Sequence, residues 1–484
     1  MRHRTFLKIA GFGIMLTAFS PEAATAVEKD RSPNVIFLLA DDLGYGDTGF
    51  NGNKIIKTPH LDAMAEEGIR FTRFYSIGPV CAPTRASSLT GRHYMRLGMM
   101  DVNVGKLPKQ EITLAKVCKA NGYATGHFGK WHLGTLSKTE SPRHKDPAKD
   151  FAPPWERDYD DALATEISVP TWNPASGAHK KHDSPYWHNG NKVTENLEGD
   201  DSRVIMDRAI PFIEKAVAAD QPFMTTIWFH TPHSPVVAGP EYLKMYEEYT
   251  EGQQHYYGCI TAMDEQIGRL RAELKRLGVD KNTILWFGSD NGPEGGGRPK
   301  PKYDAYHGAF YGKAGNFRGR KRSLYNGGVC VPALAVWPGT IDKGQTLQVP
   351  SSTLDYLPTV CELIGSEQPQ DRPIDGESLV PILLGKAKER HTYIPFASTI
   401  KTSQLALIKG DYKLFTMPAS AQGDELYHLH DDPAEANNLI EEHPERAQSM
   451  KADLKIWVES CRKSFEGKDY PEPYEQQGTF LKVE

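Results

Sequence analysis

Four apolar runs along the chain end abruptly in polar or charged residues. Val35 to Ala40 runs into Asp41-Asp42, and Tyr123 to Phe128 into Gly129-Lys130-Trp131-His132. Phe223 to Phe229 meets His230-Thr231-Pro232-His233, and Ile284 to Phe287 passes through Gly288-Ser289 into Asp290-Asn291-Gly292. Continuous apolar runs of this kind suit parallel strands buried on both faces. Helical signals lie between them. Thr58-Pro59 opens one helix and Gly68 closes it, with Leu61, Met64 and Ala65 on one face. A longer stripe, Ile260, Met263, Ile267, Leu270, Leu274 and Leu277, stops at Gly278. Alternating strands and helices predict an α/β sandwich with a mostly parallel central sheet. Ligands gather at the carboxyl ends of the strands in such sheets, and the Asp, Lys and His residues fall at those ends.

Residues 138–200 break this pattern. They are rich in Pro, His, Trp and charge, and are predicted to form a long excursion over the active face. Beyond residue 390 short strand-like runs (Leu405 to Ile408, Tyr412 to Phe415, Glu425 to Leu429) precede a helix from Glu445 to Cys461. This segment, 391–484, reads as a smaller α+β subdomain closing one side of a catalytic domain at 27–390.

The first 26 residues have the form of an export signal: Arg2, Arg4 and Lys8, then an uncharged apolar stretch from Ile9 to Phe19, then Ala24-Thr25-Ala26. The stretch is too short to span a bilayer, and no later segment is long and apolar enough to cross one. The chain is therefore expected to be periplasmic or secreted, with no membrane span once the signal is removed. Removing it takes the formal charge from −5 to −7, which disfavours nucleic acid as a partner. The six cysteines match neither a zinc motif nor a dense disulfide framework.

Chemistry concentrates around Cys81. In Cys81-Ala82-Pro83-Thr84-Arg85 through Leu89-Thr90-Gly91-Arg92, Pro83 sits where a helix begins and Gly91 where it stops. Cys81 thus falls at a helix N-terminus, where backbone N–H groups favour an anion. A lone cysteine is more often a buried structural residue, but Arg85 and Arg92 argue against an apolar setting. Asp41-Asp42 and Asp290-Asn291 bring four side-chain oxygens from two strand ends, an all-oxygen set that suits Ca²⁺ or Mg²⁺.

Cys-x-Pro-x-Arg followed by Leu-Thr-Gly-Arg resembles the signature of the formylglycine-dependent (type I) sulfatases, members of the alkaline phosphatase superfamily. Gly122-Tyr123-Ala124-Thr125 with Gly129-Lys130-Trp131-His132-Leu133-Gly134 resembles that family's second motif. Pro232-His233-Ser234-Pro235 resembles its Pro-His-x-Pro, and Phe317-Arg318-Gly319-Arg320-Lys321 its second lysine motif. Thr58 to Asp62, Asp264, Asp375-Gly376-x-Ser378-Leu379 and Glu425-Leu426-Tyr427 extend the resemblance over most of residues 32–440.

The resemblance implies an alkaline-phosphatase-like fold and a definite distribution of roles. A maturation enzyme oxidises Cys81 to formylglycine, whose hydrated aldehyde attacks sulfur. Arg85 belongs to the same motif. Lys130, Lys321 and a Ca²⁺ held by Asp41, Asp42, Asp290 and Asn291 stabilise the sulfate oxygens. His233 protonates the leaving alcohol, and His132 deprotonates the second hydroxyl so that sulfate departs. His230 is assigned a structural or peripheral place.

Two departures stand out. Thr84 replaces the usual Ser, keeping the hydroxyl, and Asn326 and Cys330 are neutral where the family carries Glu and Arg, a change read as one of scaffold or subsite. Eight basic residues and one acidic residue from Arg298 to Arg322 suit a polyanionic substrate. Trp155, Trp172 and Trp187 in the excursion suit sugar rings as well as loop packing. A sulfated carbohydrate is the expected substrate. The rival readings are a phosphodiesterase or phosphonate hydrolase of the same superfamily, and an inactive sulfoglycan-binding protein.

Overall fold

A computed structural model describes Met1 and residues 32–179, 184–295, 302–398, 403–417, 423–470, 474, 476–478, 480 and 481. The expected export signal lies outside them, apart from Met1. Among the described residues, ten strands form the central sheet. Their order is 345–347, 69–71, 333–336, 283–289, 34–40, 223–228, 124–130, 161–165, 187–188 and 191–192. The five strands from Thr283–Ser289 to Asp161–Thr165 are mutually parallel. Strand Asn34–Ala40 is buried along its whole length. Val35, Phe37 and Leu39 enter one core, and Ile36, Leu38 and Ala40 the other. Alternate side chains of a strand point to opposite faces, so a run apolar at every position belongs in the middle of a three-layer sandwich.

The helices follow the periodicity. Pro59–Glu67 starts after Thr58 and ends before Gly68. The apolar stripe lies on Glu251–Arg276, just short of Gly278. Buried Asp264 of that long helix accepts the N–H groups of His60 (3.0 Å) and Leu61 (2.8 Å), so it caps the shorter helix from across the core.

The excursion at 138–200 needs correction. It contains Asp161–Thr165, the last of the five parallel strands, and the two-residue strands Trp187–His188 and Asn191–Lys192 that extend the sheet. The strand is short and built on Ala162, Leu163 and Ala164, so the surrounding Pro, His and charge masked it in the sequence.

A second, antiparallel sheet of four strands runs Ile394–Ala397, Leu405–Lys409, Tyr412–Thr416 and Glu425–His428, followed by helix Pro444–Phe465. Among the described residues, no helix is long and apolar enough to cross a membrane.

Candidate active site

The site grows from adjacent strand ends. Ala40 pairs with Ser289 in register, so Asp41-Asp42 and Asp290-Asn291 leave the sheet side by side. Asp290 N donates to Ala40 O (3.1 Å) and Asp42 N to Asp290 Oδ1 (3.2 Å). Asp42 has φ +67°, a left-handed conformation uncommon outside glycine. Sequence periodicity predicted the strand and its end; the turn at Asp42 separates the two carboxylates so that each meets its own lysine.

Helix Cys81–Thr90 supplies the thiol and an arginine. It begins at Cys81, so Pro83 stands in the first turn rather than at the start. A proline is tolerated there because first-turn N–H groups have no intrahelical partner. Val80 precedes the helix without capping it through a side chain, so the terminus keeps its affinity for an anion. Thr84 Oγ1 donates to Gly78 O (2.9 Å) and accepts from Gly78 N (3.0 Å). Its hydroxyl closes the preceding loop, a function a serine hydroxyl can also perform.

Arg85 is wholly buried. Nε and Nη2 grip Asp290 Oδ2 (3.0 and 2.8 Å), Nη1 donates to Lys130 O (2.9 Å), and the guanidinium lies 5.0 Å from the ring of Trp228. One side chain therefore ties together the ends of three parallel strands.

Lys130 closes strand Ala124–Lys130, which runs two residues further than the apolar pattern indicated. Gly129 makes this possible: a Cβ there would lie 1.9 Å from Trp228 O, and φ is +114°. Lys130 Nζ meets Asp41 Oδ2 at 2.6 Å, and Lys321 Nζ meets Asp42 Oδ1 at 2.6 Å. Cys81 Sγ lies 3.3 Å from Asp41 Oδ1. Against the penalty of burial, the Lys321 ammonium and His233 hold Asp42 well below the usual carboxylate range. Burial, reinforced by Asp41 and opposed by Arg85, brings Asp290 up to about 6. Burial also pushes the Cys81 thiol well up, reinforced by Asp290 and Asp41.

The histidines separate cleanly. His233 Nδ1 donates to Ser234 O (2.6 Å), and Nε2 lies 3.7 Å from Asp42 Oδ2. Burial takes its imidazole down to about 3, with Asp42 opposing and Lys321 assisting. His132 is held well below its usual range by burial, Lys130 and Arg85. His230 has Asp201 Oδ2 at 2.7 Å from Nδ1 and Thr165 Oγ1 at 2.7 Å from Nε2, deep in the core.

All ten predicted site residues converge on this one place. Ligand atoms of Asp41, Asp42, Cys81 and His233 lie within 4.8 Å of one another. Asp290 and Asn291 sit alongside, and Asn291 Oδ1 is buried with no hydrogen-bond partner among the described residues. An orphaned amide oxygen costs about 1–3 kcal/mol. Three buried carboxylates and one unpartnered carbonyl oxygen are a donor set that fits a hard dication.

Sequence reasoning missed two nearby groups. Glu294 pairs with Arg322 (2.5 Å) and lies 3.7 Å from Lys321 Nζ, so the basic run is partly neutralised within the chain. Asn103 meets His132 from a loop that carries no recognisable motif.

Other motif residues prove structural. Asp375 binds Arg96, and Glu425 accepts from Tyr325 (2.5 Å) and Tyr427 (2.8 Å). Asn326 lies beside the buried pair Lys413–Glu435 (2.7 Å): its Oδ1 accepts from Lys413 (3.1 Å) and its N–H donates to Glu435 (2.6 Å). A charge pair from the C-terminal segment, Lys413 on strand Tyr412–Thr416 and Glu435 beyond the last strand, thus stands beside neutral Asn326 and Cys330. Trp172 packs on Gly239 and among Ala238 and Tyr242. Trp155 and Trp187 are half-buried against the core, and Trp187 also lines a cavity of about 480 Å³ with Glu140, Glu166 and Lys192. Arg298 and Lys300 lie outside the described residues. All six cysteines are buried and free.

Fold and site together define a hydrolase of the alkaline phosphatase superfamily, and the comparisons with known proteins agree. The sulfatase family model matches residues 33–366, and the C-terminal model of N-sulphoglucosamine sulphohydrolase matches 312–464. The chain belongs to the sulfatase family and hydrolyses sulfate esters. It is 31% identical to arylsulfatase G of Rattus norvegicus over 91% of this chain and 89% of that protein. It is 30% identical to N-acetylgalactosamine-6-sulfatase of Sus scrofa, over 83% and 76%. Among solved structures it superposes on Ps i-CgsB, crystallised with k-i-k-neocarrahexaose, with a TM-score of 0.76 at 26% identity, covering 91% of this chain and 97% of that one. A phosphonate monoester hydrolase of Agrobacterium radiobacter shares the fold at a TM-score of 0.59 and 20% identity, over 90% and 96% of the two chains.

Proposed function

We propose that this sulfatase works through a formylglycine made from Cys81 and one Ca²⁺ held by Asp41, Asp42, Asp290 and Asn291, and that its substrate is a sulfated carbohydrate. The observation that carries the reading is the setting of Cys81. It stands at an uncapped helix terminus that favours an anion, its Sγ 3.3 Å from Asp41 Oδ1, with Lys130 on Asp41 and Lys321 on Asp42 beside it. Formylglycine supplies a hydroxyl nucleophile in its place, and the cation supplies positive charge against the sulfate oxygens.

The chain's own residues do the rest. Lys130 and Lys321 hold sulfate oxygens where negative charge accumulates. Arg85 keeps Asp290 and the Lys130 backbone in register. His233 delivers a proton to the leaving alcohol: its imidazole, brought down by burial despite Asp42, takes the charged form this requires once the anionic sulfate ester lies beside it. His132 accepts the proton whose removal lets sulfate depart.

The carbohydrate reading is supported by the relatives named for N-acetylgalactosamine-6-sulfate hydrolysis and by the oligosaccharide bound in the structure similar to this one. Export to the periplasm or beyond, maturation by a formylglycine-generating enzyme, and division at residues 390/391 belong to the same proposal. The first strand of the second sheet, at Ile394, supports the division.

Mass spectrometry of protein co-expressed with a maturation enzyme should show residue 81 as an aldehyde. The same protein should release sulfate from a defined sulfated monosaccharide far faster than it cleaves a phosphate diester. Active protein carrying an intact thiol would sink the formylglycine. A preference for the diester would sink the substrate class.

A further inference from the structure

Residue 103 lies in a loop between Gly98 and Gly105 that no motif marked. Its side chain reaches the site nonetheless: Asn103 Oδ1 is 3.2 Å from His132 Nε2. A carbonyl oxygen can only accept, so this contact places the ring proton on Nε2. The other nitrogen, Nδ1, is buried and has no hydrogen-bond partner among the described residues. The ring sits in the field of Lys130, Arg85, His233 and Lys321, and burial with those cations keeps it uncharged. A neutral imidazole protonated on Nε2 has its one lone pair on Nδ1. The partner of one ring nitrogen decides which nitrogen is the base.

The backbone is arranged to hold this contact. Asn103 has φ +57° and His132 φ +60°, and both residue types tolerate the left-handed region better than most. The loop is fastened from the far end of the chain. Gln477 Oε1 accepts from Lys106 N (3.1 Å), and its Nε2 donates to Leu97 O (3.3 Å) and to Lys106 O. Gly98 and Gly478 approach so closely that a Cβ on Gly98 would lie 2.2 Å from Gln477 O.

We infer that Asn103 is a positioning residue that locks His132 in the Nε2–H tautomer, leaving Nδ1 as the base that accepts a proton during sulfate release. The inference rests on the proposed role of His132, but its first test does not. In that test, ¹⁵N-histidine-labelled protein with Cys81 unmodified is studied by NMR, the His132 signals being identified by their loss in His132→Gln. Nε2 should appear protonated and Nδ1 unprotonated. In Asn103→Gly, which suits the positive φ but removes the acceptor, the two signals should move toward a tautomer average. Asn103→Asp, which keeps an acceptor, should preserve the pattern. A proton on Nδ1 in the native chain, or no change in Asn103→Gly, overturns the inference.

In matured enzyme, Asn103→Gly should lower kcat about 10–100-fold, the scale for losing a partner that orients a functional histidine. KM should stay nearly constant, and Asn103→Asp should recover most of the rate. A native tautomer shift with unchanged kcat overturns the positioning role. Failure of the matured native enzyme to release sulfate would instead count against the proposed function and leave the tautomer result standing.

Discussion

Asp290 and Asp375 are both buried beside an arginine, yet their environments push them in opposite directions. Asp375 accepts from Arg96 Nε (2.7 Å) and Nη2 (2.6 Å), from His93 N (2.7 Å) and from Trp457 Nε1 (3.0 Å). Arg96 spends its remaining Nη1 donors on Ser460 and Ser464 of the C-terminal helix. Despite burial, this holds the Asp375 carboxyl at about 2. Asp290 also has its arginine, but burial and the crowding of Asp41 and Asp42 outweigh it and bring it up to about 6. The first cluster is complete in itself and bolts the C-terminal helix to the segment after Cys81–Thr90. The second gives Asp41, Asp42 and Asp290 one cation each but crowds the three carboxylates together, with a left-handed Asp42 and, among the described residues, an orphaned Asn291 oxygen. Crowded buried carboxylates beside a buried oxygen without a partner mark where a ligand belongs.

Changing each aspartate sharpens the contrast. The largest effect is expected for Asp290→Asn. Elemental analysis should find one calcium per chain in the native enzyme and none in the variant, with turnover reduced more than about 10³-fold, beyond the loss of a single transition-state donor. Undiminished activity after exhaustive chelation would make the acidic pairs structural.

Next comes His233→Ala. It should cost roughly 10²–10⁴-fold on a sugar sulfate, whose alkoxide needs a proton, and much less on nitrophenyl sulfate. His132→Ala should slow both alike once sulfate release limits turnover. Comparing kcat for both variants on both substrates tests this, and the reverse pattern would exchange the two roles.

Asp375→Ala should leave kcat of folded enzyme near native while lowering urea stability by about 3–5 kcal/mol, since it strands buried Arg96. A comparable loss of kcat at full stability would dissolve the distinction between the two clusters.

The smallest effect is in pH. Asp375 is depressed from 3.8 to about 2, so its contribution is fully present above pH 4 and disappears as pH falls through 2. That amounts to about 2 kcal/mol. Asp375→Asn should flatten the stability profile between pH 4 and 2, and a profile as steep as the native one would assign the acid sensitivity elsewhere.

Much of this is legible in the sequence alone. Val35 to Ala40 and Ile284 to Phe287 announced buried parallel strands, because only a strand covered on both faces can be apolar at every position. The chemical residues followed from where those strands stop. Asp161–Thr165 was not legible, because five residues without alternation carry no period to detect amid a polar insertion. Asp375 belongs to a motif, but nothing local distinguishes a structural carboxylate from a catalytic one.

The sequence by itself determined four of the five parallel strands, where they end, and the family motifs, since these depend on local periodicity and short motifs. Only the tertiary structure decided which neighbours surround each charge. Asp290 and Asp375 differ in what lies opposite them, and their partners are brought from up to hundreds of residues away by the folding of the sheet. The place of Asn103 was decided in the same way. Its contact with His132 depends on a loop fastened by Gln477, and a hydrogen bond between residues with no common pattern exists only once the chain has closed around it.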